Sequence, residues 1–125
     1  MPIPKYSYTG PVDHTVVPDL KNVAGKSVVI TGGANVIGET CVRHFVKAGA
    51  FVTFADIDET RGRAVEAELS TDSEKTPRAV FVKCDIRSWD DQVRMFDTAK
   101  TQSPARSVDV VIANAGISRS SGDDL

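Results

Sequence analysis

The residues with the clearest chemical meaning form a glycine-containing turn at positions 31–38, Thr-Gly-Gly-Ala-Asn-Val-Ile-Gly. The turn directly follows an apolar run, residues 27–30, and directly precedes a helical pattern. A strand, a glycine turn and a helix start in this order can bind phosphate groups, because the first N–H groups of a helix are unpaired and lie at the positive end of its dipole. Glycines also let the backbone approach the phosphates closely. The turn therefore predicts a site for a nucleotide diphosphate.

An aspartate stands at the end of the second predicted strand. Asp56 lies 24 residues after Gly32 and 18 after Gly38. At this distance a dinucleotide-binding fold places an acid that accepts hydrogen bonds from the adenosine ribose hydroxyls. A carboxylate there would repel a 2′-phosphate, so Asp56 favours NAD over NADP. Arg61 is a possible but distant basic partner for such a phosphate. The alternative is that Asp56 only caps the next helix, a role for which Asp58 competes.

Polar residues also follow the third and fourth predicted strands. In a parallel sheet these strand ends share the edge where open α/β folds bind ligands. Asp85 can contact an adenine amino group with Ile86 against the ring, or it can form the turn before the third helix; the residues leave both open. Asn114 can bridge neighbouring strand ends, and the small residues Ala115 and Gly116 leave room for a ligand.

Alternating strands and helices are needed to bring these residues together. Apolar runs predict strands at about Ser27–Thr31, Phe51–Ala55, Ala79–Cys84 and Val108–Ala113. Helical spacing predicts helices at about Ile37–Ala48 and Glu59–Leu69, and a third that begins after Ser88 with Asp91 as its capping-box partner. This alternation predicts an α/β fold, a Rossmann-type doubly wound parallel sheet, and we expect it to be truncated after the fourth strand.

The chain before residue 25 differs from the rest. Residues 1–24 contain four of the six prolines and show no sustained period, so we expect an irregular N-terminal extension. Residues 25–125 then form the dinucleotide-binding domain, which we expect to be incomplete. A length of 125 residues with 41% hydrophobic and 26% charged residues suits one globular domain with a modest core.

Composition and charge argue against several classes of partner. The formal net charge of −2 and the scattered basic residues do not favour nucleic-acid binding, and no apolar stretch approaches the roughly 18 residues that span a bilayer. The N-terminus has no secretory signal pattern, and Cys41 and Cys84 fall in predicted core elements, so we expect reduced cysteines and a cytoplasmic protein. Neither histidine has a ligand partner at metal spacing, so we expect no metal site.

The glycine turn, Asp56, Asp85 and the Asn-Ala-Gly sequence at 114–116, in this order and at these intervals, resemble the short-chain dehydrogenase/reductase family over about residues 22–118. The resemblance implies an NAD(P)-dependent oxidoreductase that interconverts a small-molecule alcohol and a ketone by hydride transfer. It also implies a set of cofactor contacts: Gly32, Ile37 and Gly38 at the pyrophosphate, Asp56 at the adenosine ribose, Asp85 and Ile86 at the adenine, and Asn114, Ala115 and Gly116 beside the nicotinamide-side ribose.

Two features depart from the family pattern. The pattern is Thr-Gly-x-x-x-Gly-x-Gly, and Val36 occupies the place of its middle glycine. A β-branched side chain there would push the diphosphate away or tilt the helix start, at a cost of roughly 1–3 kcal/mol. The family also uses a serine and a Tyr-x-x-x-Lys pair well beyond its Asn-Ala-Gly sequence, so no catalytic residue is named in this chain.

The fourth predicted strand would be an apolar edge with unpaired backbone groups, which invites pairing with another chain. Three explanations stay open: the N-terminal half of a longer enzyme, a truncated gene product, or a homo-oligomer that pairs this edge. The alternative to an oxidoreductase is a non-catalytic nucleotide-binding or vestigial product. A methyltransferase-like fold also places an acid after the second strand, but the Thr-Gly turn and the Asn-Ala-Gly sequence disfavour it.

Overall fold

In the described part of the chain, four strands and three α-helices alternate. The computed structural model describes residues 5, 7–70 and 78–118. The strands are Ser27–Thr31 (β1), Phe51–Asp56 (β2), Ala79–Lys83 (β3) and Val110–Ile112 (β4). The helices are Val36–Lys47 (α1), Glu59–Leu69 (α2) and Trp89–Gln102 (α3), and a 3-10 helix, Leu20–Val23, precedes β1. Each predicted strand and helix is present. Residues 1–4 and 6 of the predicted extension lie outside the described residues, and the division at residue 25 stays a prediction.

The strands form one parallel sheet with the order β3-β2-β1-β4, which confirms the predicted fold class. β1 pairs with β2 along its whole length and with β4 over residues 28–30. The chain runs outward from β1 to β3 and then places β4 on the other side of β1, so the strand order changes direction between β1 and β4. Open α/β sheets bind ligands beyond the carboxyl ends of the strands at such a switch point. The topology thus places the residues after the strands where a ligand would lie.

Helices cover both faces of the sheet. α1 and α2 pack on one face, where Val42 and Val65 join the buried side chains of the strands. α3 packs on the other face through Met95. α2 comes so close to β3 that a Cβ at Gly62 would lie 2.1 Å from the Phe81 ring. Because the inner strands are buried on both faces, their sequences are continuous apolar runs rather than alternating ones.

The cap of α3 differs from the predicted one. The N–H of Asp91 donates to Ser88 Oγ at 3.3 Å, which is the first half of a capping box. The Asp91 carboxylate accepts instead from the N–H of Asp85 at 2.9 Å, and the N–H of Ser88 donates to the carbonyl of Asp85 at 2.9 Å. The prediction that Asp91 completes the box is therefore wrong, because the turn after β3 supplies both partners. This arrangement ties the start of α3 to the residues at the end of β3.

The two edges of the sheet differ. On β3, the N–H of Phe81 donates to the Glu66 carboxylate of α2 at 2.9 Å, so a side chain covers part of this edge. β4 is the opposite edge within the described residues, as predicted, and its Val111 side chain is 53% exposed. The apolar surface of the sheet is therefore least covered at β4.

Candidate functional site

A cavity of about 310 Å³ lies at the carboxyl edge of the sheet. Residues at or after the ends of all four strands line it: Gly32, Asp56, Ile57, Cys84, Asp85, Ile86, Arg87, Asn114, Ala115, Gly116 and Ile117. The structure thus brings together most of the residues that the sequence singled out. Ile37 and Gly38 belong instead to the first turn of α1, where the Ile37 side chain is 69% exposed and Gly38 is buried.

The glycine turn is shaped by the close approach of α1 to the end of β1. Gly32 has a φ of +67°, a conformation that glycine adopts readily. A Cβ at Gly38 would lie 1.9 Å from the carbonyl oxygen of Gly32 and 2.7 Å from the side-chain nitrogen of Asn114. No side chain fits at position 38 unless the start of α1 moves. The two glycines therefore hold the start of α1 against the end of β1, the arrangement that a diphosphate site needs.

Asn114 fastens the end of β4 to the same turn. Its side-chain nitrogen donates to the carbonyl oxygens of Thr31 and Gly32, at 3.1 and 3.2 Å. The hydroxyl of Thr31 in turn accepts from the N–H of Ala115 at 3.1 Å. These bonds form the bridge between neighbouring strand ends that the sequence predicted. Contacts of Asn114, Ala115 and Gly116 with a ligand stay a prediction.

Asp56 supports the turn from the other side. Its two carboxylate oxygens accept from the N–H of Asp58 at 3.0 Å and from the N–H of Ala34 at 3.1 Å. Asp58, and not Asp56, caps α2, by accepting from the N–H of Arg61 at 2.9 Å. Each carboxylate oxygen has two lone pairs, so each keeps capacity for a further hydrogen bond. Asp56 can therefore hold the turn and still accept from a ligand hydroxyl.

Asp85 is engaged by its own turn. Its carboxylate accepts from the backbone N–H of Arg87 at 2.9 Å and from the Arg87 guanidinium through Nε at 3.0 Å and Nη2 at 2.7 Å. These side-chain and then backbone hydrogen bonds lower the pKa of Asp85 to about 2. The turn-forming alternative for Asp85 is therefore realised. A contact with an adenine amino group would have to share the carboxylate with Arg87.

Val36 adopts a backbone conformation that suits glycine. Its φ is +43°, in the left-handed region where a β-branched residue is strained, and its side chain is 80% exposed. The residue before it, Asn35, makes no side-chain cap hydrogen bond within the described part of the chain. The helix start thus keeps a glycine-like path although a valine occupies it. The conformational strain lies in the backbone of Val36, and its exposed side chain projects from the turn.

Four lining residues were not assigned to the site from the sequence: Ile57, Cys84, Arg87 and Ile117. Ile57 and Arg87 follow the two strand-end acids by one and two positions, and that closeness was a usable signal because neighbours of a strand-end residue share its edge. Cys84 was expected in the core and is buried, yet it also reaches the cavity floor. Burial raises the pKa of its thiol, which keeps the group protonated and apolar. Nothing in the sequence marked Ile117.

A second depression, of about 410 Å³, runs along the outer face of α3. Its walls are side chains of that helix alone, among them Asp90, Arg94 and Thr98, and no strand end contributes to it. Within residues 7–70 and 78–118, no group of three or more His, Cys, Asp and Glu side chains is placed to hold a metal ion. No helix in the same ranges is long and apolar enough to cross a membrane. The cavity at the strand ends is therefore the better candidate for chemistry.

Known proteins resemble this chain in sequence and fold. A profile of the short chain dehydrogenase family matches residues 26–124. The chain is 33% identical to 5′-hydroxyaverantin dehydrogenase of Dothistroma septosporum over 108 residues, which are 86% of this chain and 34% of that protein. It is 43% identical to L-fucose dehydrogenase of Bos taurus over 93 residues, which are 74% of this chain and 31% of that protein.

A solved structure of the same family is also similar to this chain. The crystal structure of a short chain dehydrogenase from Bacillus anthracis matches with a TM-score of 0.64 and 25% sequence identity. The match covers 74% of this chain and 35% of that protein. The chain spans about a third of the length of the relatives it matches.

The pairing of Asp85 with Arg87 predicts a measurable titration. In Arg87→Gln we expect the pKa of Asp85 to rise from about 2 part of the way to its ordinary value, because only the backbone N–H bond remains. Since the folded-state pKa lies below the unfolded one, this carboxylate stabilises the fold at neutral pH, and its contribution is lost as the pH falls through about 2. Carboxyl-carbon NMR titration measures the change. Arg94→Gln is the control, and an Asp85 pKa that stays at about 2 in Arg87→Gln would contradict the assignment.

Proposed function

The chain belongs to the short chain dehydrogenase family, and we propose that it binds a nicotinamide dinucleotide, NAD in preference to NADP, in the cavity at the carboxyl edge of the sheet. As part of an oxidoreductase it would supply the cofactor-binding half for the interconversion of an alcohol and a ketone. One observation carries the proposal. The glycine turn, Asp56 and Asn114 meet at the point where the strand order reverses, and the last two both hydrogen-bond to that turn.

The turn fits the diphosphate part of the cofactor. Glycine is needed at positions 32 and 38, because a Cβ at Gly38 would strike the backbone of Gly32. The side chain of Asn35 does not cap α1 within the described residues, so the first N–H groups of the helix are left for another acceptor. A diphosphate provides oxygens of the charge that a helix N-terminus favours. We assign Gly32, Ile37 and Gly38 to this part of the ligand.

The acids and apolar side chains fit the adenosine part. Asp56 retains acceptor capacity after its bonds to Ala34 and Asp58, as two ribose hydroxyls require. Ile57 and Ile86 line the same cavity and provide apolar surface for a purine ring. Asp85 lies beside them, with Arg87 sharing its carboxylate.

The preference for NAD follows from charge. A 2′-phosphate on the adenosine ribose would lie against the Asp56 carboxylate, and two like charges at hydrogen-bond distance repel. A ribose with two free hydroxyls instead donates to the same carboxylate. This finer assignment rests on the charge of Asp56.

The bound nicotinamide ring would supply the hydride acceptor or donor. The residues of this chain would bind and orient the cofactor, with Asn114, Ala115 and Gly116 at its nicotinamide end. The substrate would be a small alcohol or ketone. Self-association through β4 also stays a prediction.

A nucleotide-binding role without hydride transfer is the second candidate. The strained backbone of Val36 favours it, because the valine stands where the family has a glycine beside the diphosphate. The two candidates share the binding site and differ in turnover. Reduction of bound NAD by an alcohol in the full-length protein would support the oxidoreductase, and binding without any hydride transfer would support the second candidate.

Removing the charge of Asp56 tests the ribose contact. In Asp56→Asn we expect the affinity for NADH to fall about 10- to 150-fold, because a charge-assisted hydrogen bond contributes roughly 1.5–3 kcal/mol. Isothermal titration calorimetry gives the dissociation constant, and thermal melting shows whether NADH still protects the fold. The matched control is Asp58→Asn, which keeps a good helix cap and leaves the cavity intact. Equal NADH affinity in Asp56→Asn and the wild type would refute the ribose role.

Replacing Val36 with glycine tests the cost at the helix start. Val36→Gly removes a β-branched side chain from the place beside the expected diphosphate, so we expect dinucleotide affinity to rise about 5- to 150-fold, the equivalent of roughly 1–3 kcal/mol. Val36→Ala removes the β-branch but keeps the Cβ at a φ of +43°, and should give a smaller gain. Calorimetric titration with NAD compares the three proteins. An unchanged affinity in Val36→Gly would show that the valine side chain does not weaken dinucleotide binding.

A further inference from the structure

Arg61 of α2 also bonds to the glycine turn. Its Nε donates to the carbonyl oxygen of Ala34 at 3.2 Å, and its Nη2 bonds to Glu39 of α1 at 2.6 Å. The N–H of the same Ala34 donates to Asp56 at 3.1 Å. One residue of the turn therefore joins the acid expected at the ribose to a guanidinium. The sequence suggested that Arg61 is distant from Asp56. In the fold, its side chain bonds to Ala34, the same residue that bonds to Asp56.

Glu39 holds the guanidinium in this position. The Glu39 side chain is only 13% exposed and accepts from Arg43 at 2.8 Å as well as from Arg61. Hydrogen bonds from Arg43 and then Arg61 lower the pKa of Glu39, so it is charged at neutral pH. Arg43 also bonds to Glu68 on α2. The Arg61 side chain is 41% exposed, which leaves its outer side open to solvent or a ligand.

The chemistry of a guanidinium explains why this pairing matters. Arginine binds phosphate groups through two parallel hydrogen bonds and is the usual partner of a 2′-phosphate in NADP-binding folds. Within the described residues, Arg61 borders the glycine turn and Arg87 lines the cavity, and a carboxylate engages each of them: Glu39 engages Arg61, and Asp85 engages Arg87. Arg61 is linked through Ala34 to Asp56 itself, whereas Arg87 belongs to the turn after β3. Arg61 is thus the arginine whose release would oppose the charge effect of Asp56.

We propose that Glu39 is a specificity-determining residue of the cofactor site, which keeps Arg61 on the turn and away from a 2′-phosphate and so reinforces the preference for NAD. The inference rests on the proposed dinucleotide binding and adds a second acid to Asp56. Asp56 repels the extra phosphate directly. Glu39 acts indirectly, because it compensates the positive charge of Arg61, which would otherwise attract the 2′-phosphate.

The test compares two cofactors in one series of variants. We expect Glu39→Gln to lower the ratio of NAD affinity to NADP affinity at least about tenfold at low salt, because the Arg61 charge is no longer compensated by Glu39. In the double variant Glu39→Gln with Arg61→Met, the ratio should return toward that of the wild type. Calorimetric titrations of the full chain give the constants, and thermal melting without ligand verifies that each variant is folded. Glu68→Gln, which alters another carboxylate partner of Arg43, is the control.

The possible results distinguish a failure of this inference from a failure of the proposed dinucleotide binding. If Glu39→Gln weakens NAD and NADP equally, Glu39 only braces the turn and the inference is wrong. A ratio that stays low in the double variant would mean that the loss of the Glu39 charge, or Arg87, is responsible, and would also overturn it. The same ratio measured with AMP and adenosine 2′,5′-bisphosphate checks that the 2′-phosphate is the cause. A wild-type chain that binds neither cofactor nor these probes would instead defeat the proposed function itself.

Discussion

The close approach of α1 to the end of β1 is the constraint on which the site depends. Position 38 has no room for a side chain, since a Cβ there would meet the carbonyl oxygen of Gly32. The turn is then fastened by three neighbours that come from other elements: Asp56 of β2, Arg61 of α2 and Asn114 after β4. Each neighbour bonds to the backbone of residues 31–34, so the turn's path is set by tertiary contacts as well as by its own sequence.

The side chains proposed to contact the ligand also hold the structure of this edge. The Asp56 carboxylate accepts two backbone N–H bonds and still has unused lone pairs. Asp85 is more fully engaged, because Arg87 occupies both of its oxygens. The parallel sheet places these acids at the ends of neighbouring strands, and Arg87 forms an ion pair with Asp85. The proposed preference for NAD therefore depends on the charges at the strand ends as well as on the fold.

The sequence was a good guide to the elements and a poorer one to side-chain partners. β1 and α2 have their predicted bounds, because uninterrupted apolar residues and helical spacing with a capping aspartate are local signals. The left-handed backbone of Val36 could not be foreseen, since it follows from the position of α1 and not from the valine. The contact of Arg61 with Ala34 was missed for a related reason. It joins residues 27 positions apart that meet only after α1 and α2 have packed.

The most direct test of a dinucleotide site at the strand ends is amide chemical-shift mapping of the ¹⁵N-labelled chain during titration with NADH. The account predicts that saturable shifts are concentrated at the cavity and the turn, at Gly32, Ala34, Ile57, Ile86 and Ala115. Amides along the outer face of α3 should move little, although the larger depression lies there. Shifts confined to α3, or no saturable shifts at all, would contradict it.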